Sequence, residues 1–514
     1  MPVILHQNAD SIISLHLDRN PMLEIPFDFI RSCTTLQDLW LRQMSMKKVP
    51  TSLRHSTTLH RLNLSHNHIR DLDDAHLHEI KGLLALFLQN NQLDKLPVNF
   101  PQLRSLVTLN ISNNEFKVFP VAITELENLR DLDISFNMIT ELPKEIGKMR
   151  ALEGLVIVGN QIASFPDEAS NLVALRMLDC KCNQISDLSL ICMLPNLQSL
   201  SSDHNTICVL DLSLGPNLTT LDISHNHITR FSFIPGPTDK SSYSLTFLDL
   251  SCGKLASLDD TVFSQLASLR TLKLDHNSID SIPESLGDLK WLEILSCTNN
   301  RLRTLPSTIG RLQQLHTLDA HNNSLTELPQ SIWNCASLVK INVASNVINK
   351  WHDPPAPTDD SATVDGGLAA PNVACRRPST ASVSSLHTIP PLVHSLEKLY
   401  LGDNCLTDND IRPLMILKGL IVLNLSFNKL ACLPTAFFRN MVSLEELYLS
   451  GNRIASLPAD DFPRLTRLTT IFLNGNKLTN LPQELSRVSS LTVLDVGSNL
   501  LNYNVYNWKF DWNW

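Results

Sequence analysis

Leucine, isoleucine and asparagine recur along this chain at fixed spacing. The frame L-x-x-L-x-L-x-x-N is met by Leu59, Leu62, Leu64 and Asn67, then by Leu83, Leu86, Leu88 and Asn91, then by Leu106, Leu109, Ile111 and Asn114. It continues through Asn137, Asn160 and Asn183 at steps of 23 residues. A period of this size marks a stacked-repeat architecture, in which no single unit can bury its own apolar side chains. Carried to both ends, the frame gives about 20 repeats, with Met44 and Gly253 in the Asn position of the second and eleventh.

Each repeat predicts a short strand on x-x-L-x-L with its leucines inward, followed by a turn. There the Asn side chain can bond backbone groups that the bend leaves unpaired. The returning half often reads L-P-x-x-h, with h an apolar residue, as at Leu96-Pro97, Leu142-Pro143, Leu305-Pro306 and Leu481-Pro482. Proline fixes φ and lacks an N–H, which suits the start of an outer helical or 3₁₀ segment. The fold class is therefore α/β: a leucine-rich repeat solenoid, a curved horseshoe with a parallel inner sheet. Each fully buried Leu contributes roughly 1.5 to 3 kcal/mol. At about 4.8 Å between strands, the inner arc is on the order of 95 Å, long enough to embrace a small globular protein.

The rhythm breaks twice. Pro235-Gly236-Pro237-Thr238-Asp239 reads as a loop on the solenoid edge. Residues 352–394 are rich in Pro, Ser, Thr, Ala and Asp without apolar period, and read as a disordered insert. This divides the chain into residues 1–351, with the first 15 repeats, the insert, residues 395–501, with the last five repeats, and residues 502–514. In that tail Trp508, Phe510, Trp512 and Trp514 alternate with polar residues, a strand-like pattern. An apolar end of this kind suggests a fragment leading into a further downstream domain.

Composition narrows the function. The 514 residues carry 42 basic and 51 acidic side chains, a net charge of -9, with no basic stripe that could neutralise phosphates, so nucleic acid is a poor partner. The 11 cysteines are scattered, many beside repeat core positions such as Cys180, Cys252, Cys297 and Cys335, without paired clusters at the ends; a reducing, cytoplasmic compartment follows. The N-terminus shows no signal-peptide pattern and no stretch approaches 18 apolar residues, so no integral membrane segment is expected.

No P-loop, G-x-S-x-G, H-E-x-x-H, kinase signature or C-x-x-C pair occurs, so no catalytic residue, metal or cofactor is expected. Candidate contacts lie instead in the column between the inner leucines, which faces the concave side. It offers rings at Trp40, Phe87, Tyr400, Tyr448 and Phe472, and carboxylates at Asp133, Asp179, Asp222, Asp249 and Asp319. Aromatic anchors and a charged arc suit a protein partner whose Lys or Arg would be steered in. Asp and Asn are also simply common in this column of such repeats, and both accounts stand at this point. Histidines recur just before the Asn, at His66, His204, His225, His276 and His321. His204 and His225 are about 5 Å apart on adjacent repeats, but two imidazoles without a third ligand are most simply surface residues. Asp73-Asp74 and Asp259-Asp260 fall where outer segments begin and are expected to complement their N-termini. In the insert, Arg376-Arg377-Pro378-Ser379-Thr380 resembles a basophilic-kinase site, with Ser379 as acceptor; an unmodified polar linker accounts for it equally.

Several stretches outside the repeat consensus resemble the leucine-rich repeat region of fungal adenylate cyclases of the Ras-responsive type. They are Asn20-Pro21-Met22-Leu23-Glu24-Ile25-Pro26, Met46-Lys47-Lys48-Val49-Pro50, residues 210–218 (LDLSLGPNL) and the tail 503–514 (YNVYNWKFDWNW). The resemblance covers essentially the whole chain. It implies a Ras-associating segment before the repeats, then a phosphatase-like domain and a cyclase domain after them, the last making cyclic AMP from ATP with Mg. It further implies a Ras-type small GTPase as partner, a role in cyclic AMP signalling, and recruitment to the inner face of the plasma membrane through that partner. This chain would lack the catalytic domain, and no individual contact residue carries over. The repeat region of a leucine-rich repeat protein phosphatase and a stand-alone intracellular adaptor remain as alternatives.

Overall fold

The structure is a computed structural model that describes residues 3–20, 24–233, 243–355 and 389–502. Ser379, the loop at 235–239 and the aromatic tail from 503 onward lie outside the described residues. The chain divides into two compact units, residues 1–300 and 301–514.

In the first unit, three-residue strands repeat in parallel, as at Asp38–Trp40, Arg61–Asn63, Ala85–Phe87, Thr108–Asn110 and Asp131–Asp133. Their register aligns the central leucines of successive repeats, Leu39 with Leu62, Leu62 with Leu86, Leu86 with Leu109 and Leu109 with Leu132. These leucines are 0–1% exposed, because each is covered by the repeats on both sides. The second unit repeats the scheme from Thr317–Asp319 to Val493–Asp495.

The turn asparagines behave as their recurrence implies. Asn137 Oδ1 accepts the Phe116 N–H at 3.1 Å, while its Nδ2 donates to Ile111 O at 3.2 Å and Ile134 O at 3.1 Å. One amide thus satisfies backbone groups of two successive repeats, which an unpaired burial would leave at a cost of about 1–3 kcal/mol each. The same arrangement recurs at Asn67, Asn114, Asn160 and Asn476.

On the outer side many repeats carry a 3₁₀ turn preceded by proline: Pro143 before Lys144–Lys148, Pro306 before Ser307–Arg311 and Pro482 before Gln483–Arg487. One place is built differently. Val209–Leu212 and Arg230–Phe233 form a separate parallel two-stranded sheet, with Leu210 opposite Phe231. Leu210, Leu212 and Phe231 turn inward from these strands, and Asp211 ties them by accepting from Arg230 and Ser232. Asp73 and Asp74 do open an outer turn, Asp73–Ala75; no side-chain cap forms there, and the carboxylates also pair with Lys95 and Lys48 of neighbouring repeats.

The sheet of the second unit passes over the interval between Asn342 and Lys398 without a break. Ile341 pairs directly with Leu399, and Asn404 supplies the usual bonds, accepting from Ile348 N at 2.9 Å and donating to Val343 O at 3.0 Å. Within the segment drawn as an insert, residues 352–355 and 389–394 are described. Its C-terminal boundary falls inside the helix Leu392–Ser395, whose Leu392 and Val393 are buried. These residues belong to the following repeat: their apolar side chains are too few to show a period, yet they fill its outer layer.

Candidate protein-binding face

The outward residue of each strand is held by its inward neighbour. In Asp131–Asp133 the buried Leu132 fixes the backbone, and Asp133 emerges on the strand face. Trp40, Phe87, Asp133, Asp179, Asp222 and, in the second unit, Asp319, Tyr400, Tyr448 and Phe472 are all part-exposed there. Asp249 is the exception. It is only 7% exposed, with Oδ1 accepting the Ser251 N–H at 3.0 Å and Oδ2 3.4 Å from the Lys273 amine. The neighbouring Lys273 side chain, itself 5.4 Å from the Phe247 ring, closes over it.

Much of this column's Asp and Asn content has a local cause. Asp133 Oδ1 accepts the Ser135 N–H at 3.0 Å, Asp222 Oδ1 accepts the Ser224 N–H at 3.1 Å, and Asn110 Oδ1 accepts the Ser112 N–H at 3.0 Å. A short side chain bonding the amide two residues on shapes the exit from the strand. The second oxygen of Asp133 accepts from the Asn110 amide at 2.9 Å, which links two neighbouring strands.

Asp179 and Asp222 are joined by Asp203, two residues beyond the next strand's outward position, to make an acidic patch around Lys181, whose amine is 3.5 Å from Asp203. Burial, reinforced by Asp203 and Asp222 and opposed by Lys181, pushes the Asp179 carboxyl above its ordinary value. Burial opposes the charge on Lys181, but Asp179, Asp203 and Asp222 together hold it above the usual lysine value. Neither Asp203 nor Lys181 was in the outward column, so a reading confined to that column misses both; their position two residues further on is the signal that finds them.

In the second unit the face is aromatic. Tyr448 and Phe472 stack with centroids 5.3 Å apart and planes at 10°, and the Tyr448 hydroxyl donates to Glu446 at 2.8 Å. That bond, with burial and the Glu446 charge, pushes the Tyr448 phenol up to about 12. Lys340 lies 5.9 Å from the Tyr400 ring centroid. Near the other terminus, Trp40 is sandwiched by His16, stacked at 5.0 Å, and Arg42, 4.9 Å from the ring centroid.

His204 and His225 stack face to face at 4.1 Å, and His204 Nδ1 lies 2.9 Å from Asp203. His66, His204, His225 and His276 all sit at φ between 52° and 57°, in the turn before the Asn. Cys180 and Cys335 are buried, and burial pushes their thiols up to about 12, which keeps them protonated and unreactive. No helix among the described residues is long and apolar enough to cross a membrane.

The leucine-rich repeat region family matches residues 51–279 and 244–351, and a second leucine-rich repeat family matches 394–454 and 443–501. The chain belongs to the leucine-rich repeat family. Among its leucine-rich repeat relatives, an adenylate cyclase of Mycosarcoma maydis is 46% identical over 535 residues, covering 100% of this chain and 21% of that protein. An adenylate cyclase of Podospora anserina is 36% identical over 594 residues, covering 100% of this chain and 27% of its own length. The chain thus matches the leucine-rich repeat region of fungal adenylate cyclases and spans about a quarter or less of their length. Among solved structures, the plant peptide hormone receptor RGFR1 in complex with RGF2 superposes with a TM-score of 0.65 at 23% identity, covering 95% of this chain and 79% of that one. A TDR receptor does so at 0.63 and 19%, covering 97% and 87%. Both share the leucine-rich repeat fold.

Proposed function

We propose that this chain is the regulatory, partner-binding region of an adenylate cyclase, and that its strand face receives an activated Ras-type GTPase to control cyclic AMP synthesis. The observation that supports this most is the 46% identity to such a cyclase along the whole chain. The cyclase chemistry itself, on ATP with Mg, is assigned to other parts of such a protein. The region acts in the cytoplasm and reaches the inner face of the plasma membrane through its partner.

The geometry supplies a physical route. The carboxylates of Asp133, Asp179 and Asp222 create a negative field that would speed the approach of a basic patch on the GTPase. Tyr448 and Phe472 are preorganised by stacking and, with Tyr400, offer area for a tight contact at little entropic cost. The test is binding of the purified chain to a Ras-type GTPase loaded with a GTP analogue or with GDP, with Asp179→Lys/Asp222→Lys as comparison. Binding of the GTP form alone, weakened at least tenfold by the double variant, supports the reading. Equal binding of both forms, or none, removes it.

A further inference from the structure

We propose that His76, His78 and Glu79 form a binding site for a divalent transition-metal ion, zinc in particular. The site goes beyond the partner-binding face, since it lies on the outer side of one repeat of the first unit.

Many repeats enter their outer segment through an apolar residue and proline, as at Leu142-Pro143 and Phe165-Pro166. Here the sequence is Leu72-Asp73-Asp74-Ala75-His76-Leu77-His78-Glu79, and two short 3₁₀ turns, Asp73–Ala75 and Leu77–Glu79, meet at His76. His76 adopts φ 45° and ψ 39°, a left-handed conformation that a non-glycine residue enters only where its surroundings hold it. Buried Ala75, Leu77 and Ile80 anchor the backbone on both sides. The anchored chain brings one ligand atom from each of His76, His78 and Glu79 within 4.8 Å of the others, with the imidazoles part-exposed and the carboxylate exposed. The imidazole centroids are 5.7 Å apart with planes at 60°. Two imidazoles on one tetrahedral zinc, at nitrogen distances of about 2.0–2.1 Å, place their centroids roughly 5 Å apart, so modest side-chain rotation closes the site.

The donor set chooses the ion. Two neutral imidazoles and one carboxylate match zinc and its neighbours in the transition series, whereas magnesium and calcium require shells of oxygen. The surroundings favour a cation. Asp71, Asp73 and Asp74 flank the turn, with Asp74 paired to Lys48 at 2.8 Å and Asp73 to Lys95 at 3.5 Å. Three protein ligands leave a fourth position for water, and the ion would clip the left-handed residue to the turn that follows it.

Zinc would be titrated calorimetrically into the chelator-treated full chain, and cobalt followed by its visible absorption. The expected result is one saturable site per chain, weakened at least tenfold by His76→Asn, which tolerates the left-handed backbone, and by His78→Gln. Glu79→Gln, at an exposed side chain, weakens it less. The double variant His204→Gln/His225→Gln, which removes the stacked histidine pair elsewhere, leaves it unchanged. Zinc added to the unaltered chain slows amide exchange at residues 72–80. Absence of saturable binding overturns the site, as does binding that survives both His76→Asn and His78→Gln or that disappears in the His204/His225 variant. Should a His variant unfold, the Glu79→Gln titration and the exchange experiment decide: no weakening and no slowing at 72–80 overturn the proposal.

Discussion

The strands around Asp133, Asp179 and Asp222 and those around Tyr400, Tyr448 and Phe472 have the same length, the same parallel register and the same buried central leucine or isoleucine. What they display differs completely. In the first region carboxylates are tied to turn amides and gathered round Lys181; in the second, rings stack and the Glu446 carboxylate accepts from the Tyr448 hydroxyl. The contrast shows how labour divides within a repeat. Inward leucines and the turn asparagine hold the backbone, and the outward residue is left to vary with the partner.

The strongest way to break that division is to compare adjacent residues. Leu132→Ala is expected to destabilise the chain by about 2–5 kcal/mol through the cavity it leaves, while Asp133→Ala, losing its bonds to the Ser135 N–H and the Asn110 amide, costs about 1–2 kcal/mol. Denaturant unfolding of the two variants measures the gap; equal losses would mean that the outward column also carries the fold.

A smaller effect should separate the aromatic region from the acidic one. Phe472→Ala removes a stacked pair worth about 0.5–1.5 kcal/mol beyond its area. A double-mutant cycle with Tyr448→Ala should return that coupling, whereas a cycle of Asp133→Ala with Asp222→Ala should return none, since the two lie on well-separated strands.

The smallest effect has the opposite sign. Because burial and its acidic neighbours raise the folded-state pKa of Asp179, the folded chain holds this proton more tightly than the unfolded one. The stabilisation from protonation is present below the unfolded pKa and is lost as pH rises through the folded one, so at neutral pH the ionised group is a liability. Asp179→Asn should therefore raise the melting temperature slightly at pH 7, by less than about 1 kcal/mol in stability given partial solvent screening, and the gain should vanish near pH 3. If the carboxylate serves partner binding, the same variant binds more weakly, so that stability and recognition part company at one atom.

The solenoid was legible because each repeat restates the same constraint: Leu109, Leu132 and Leu155 must all be buried, and Asn114, Asn137 and Asn160 must all bridge a bend. The outer strands at Val209–Leu212 and Arg230–Phe233 were not, since four residues inside a longer repeat carry little weight against the surrounding frame. The strand-face column could be placed by counting, but burial of Asp249 depends on where the Lys273 side chain lies, and the acidic patch depends on Asp203 and Lys181 approaching from two residues along. Those are contacts between repeats, which a one-dimensional period does not encode. Likewise the convergence of His76, His78 and Glu79 follows from a left-handed turn at His76, outside the turn before the Asn where the other left-handed histidines sit.

The direct pairing of Ile341 with Leu399 has a consequence for how such a chain changes over generations. The strands on either side keep the usual register although the interval is far longer than the 23-residue step, so length is uncoupled from register there. Buried Trp351 on one side and Leu392 and Val393 on the other mark how far the repeats reach into it. Between them lies the place where lineages can acquire new linear signals without moving the sheet, and where an experimenter can splice a reporter into the middle of the array.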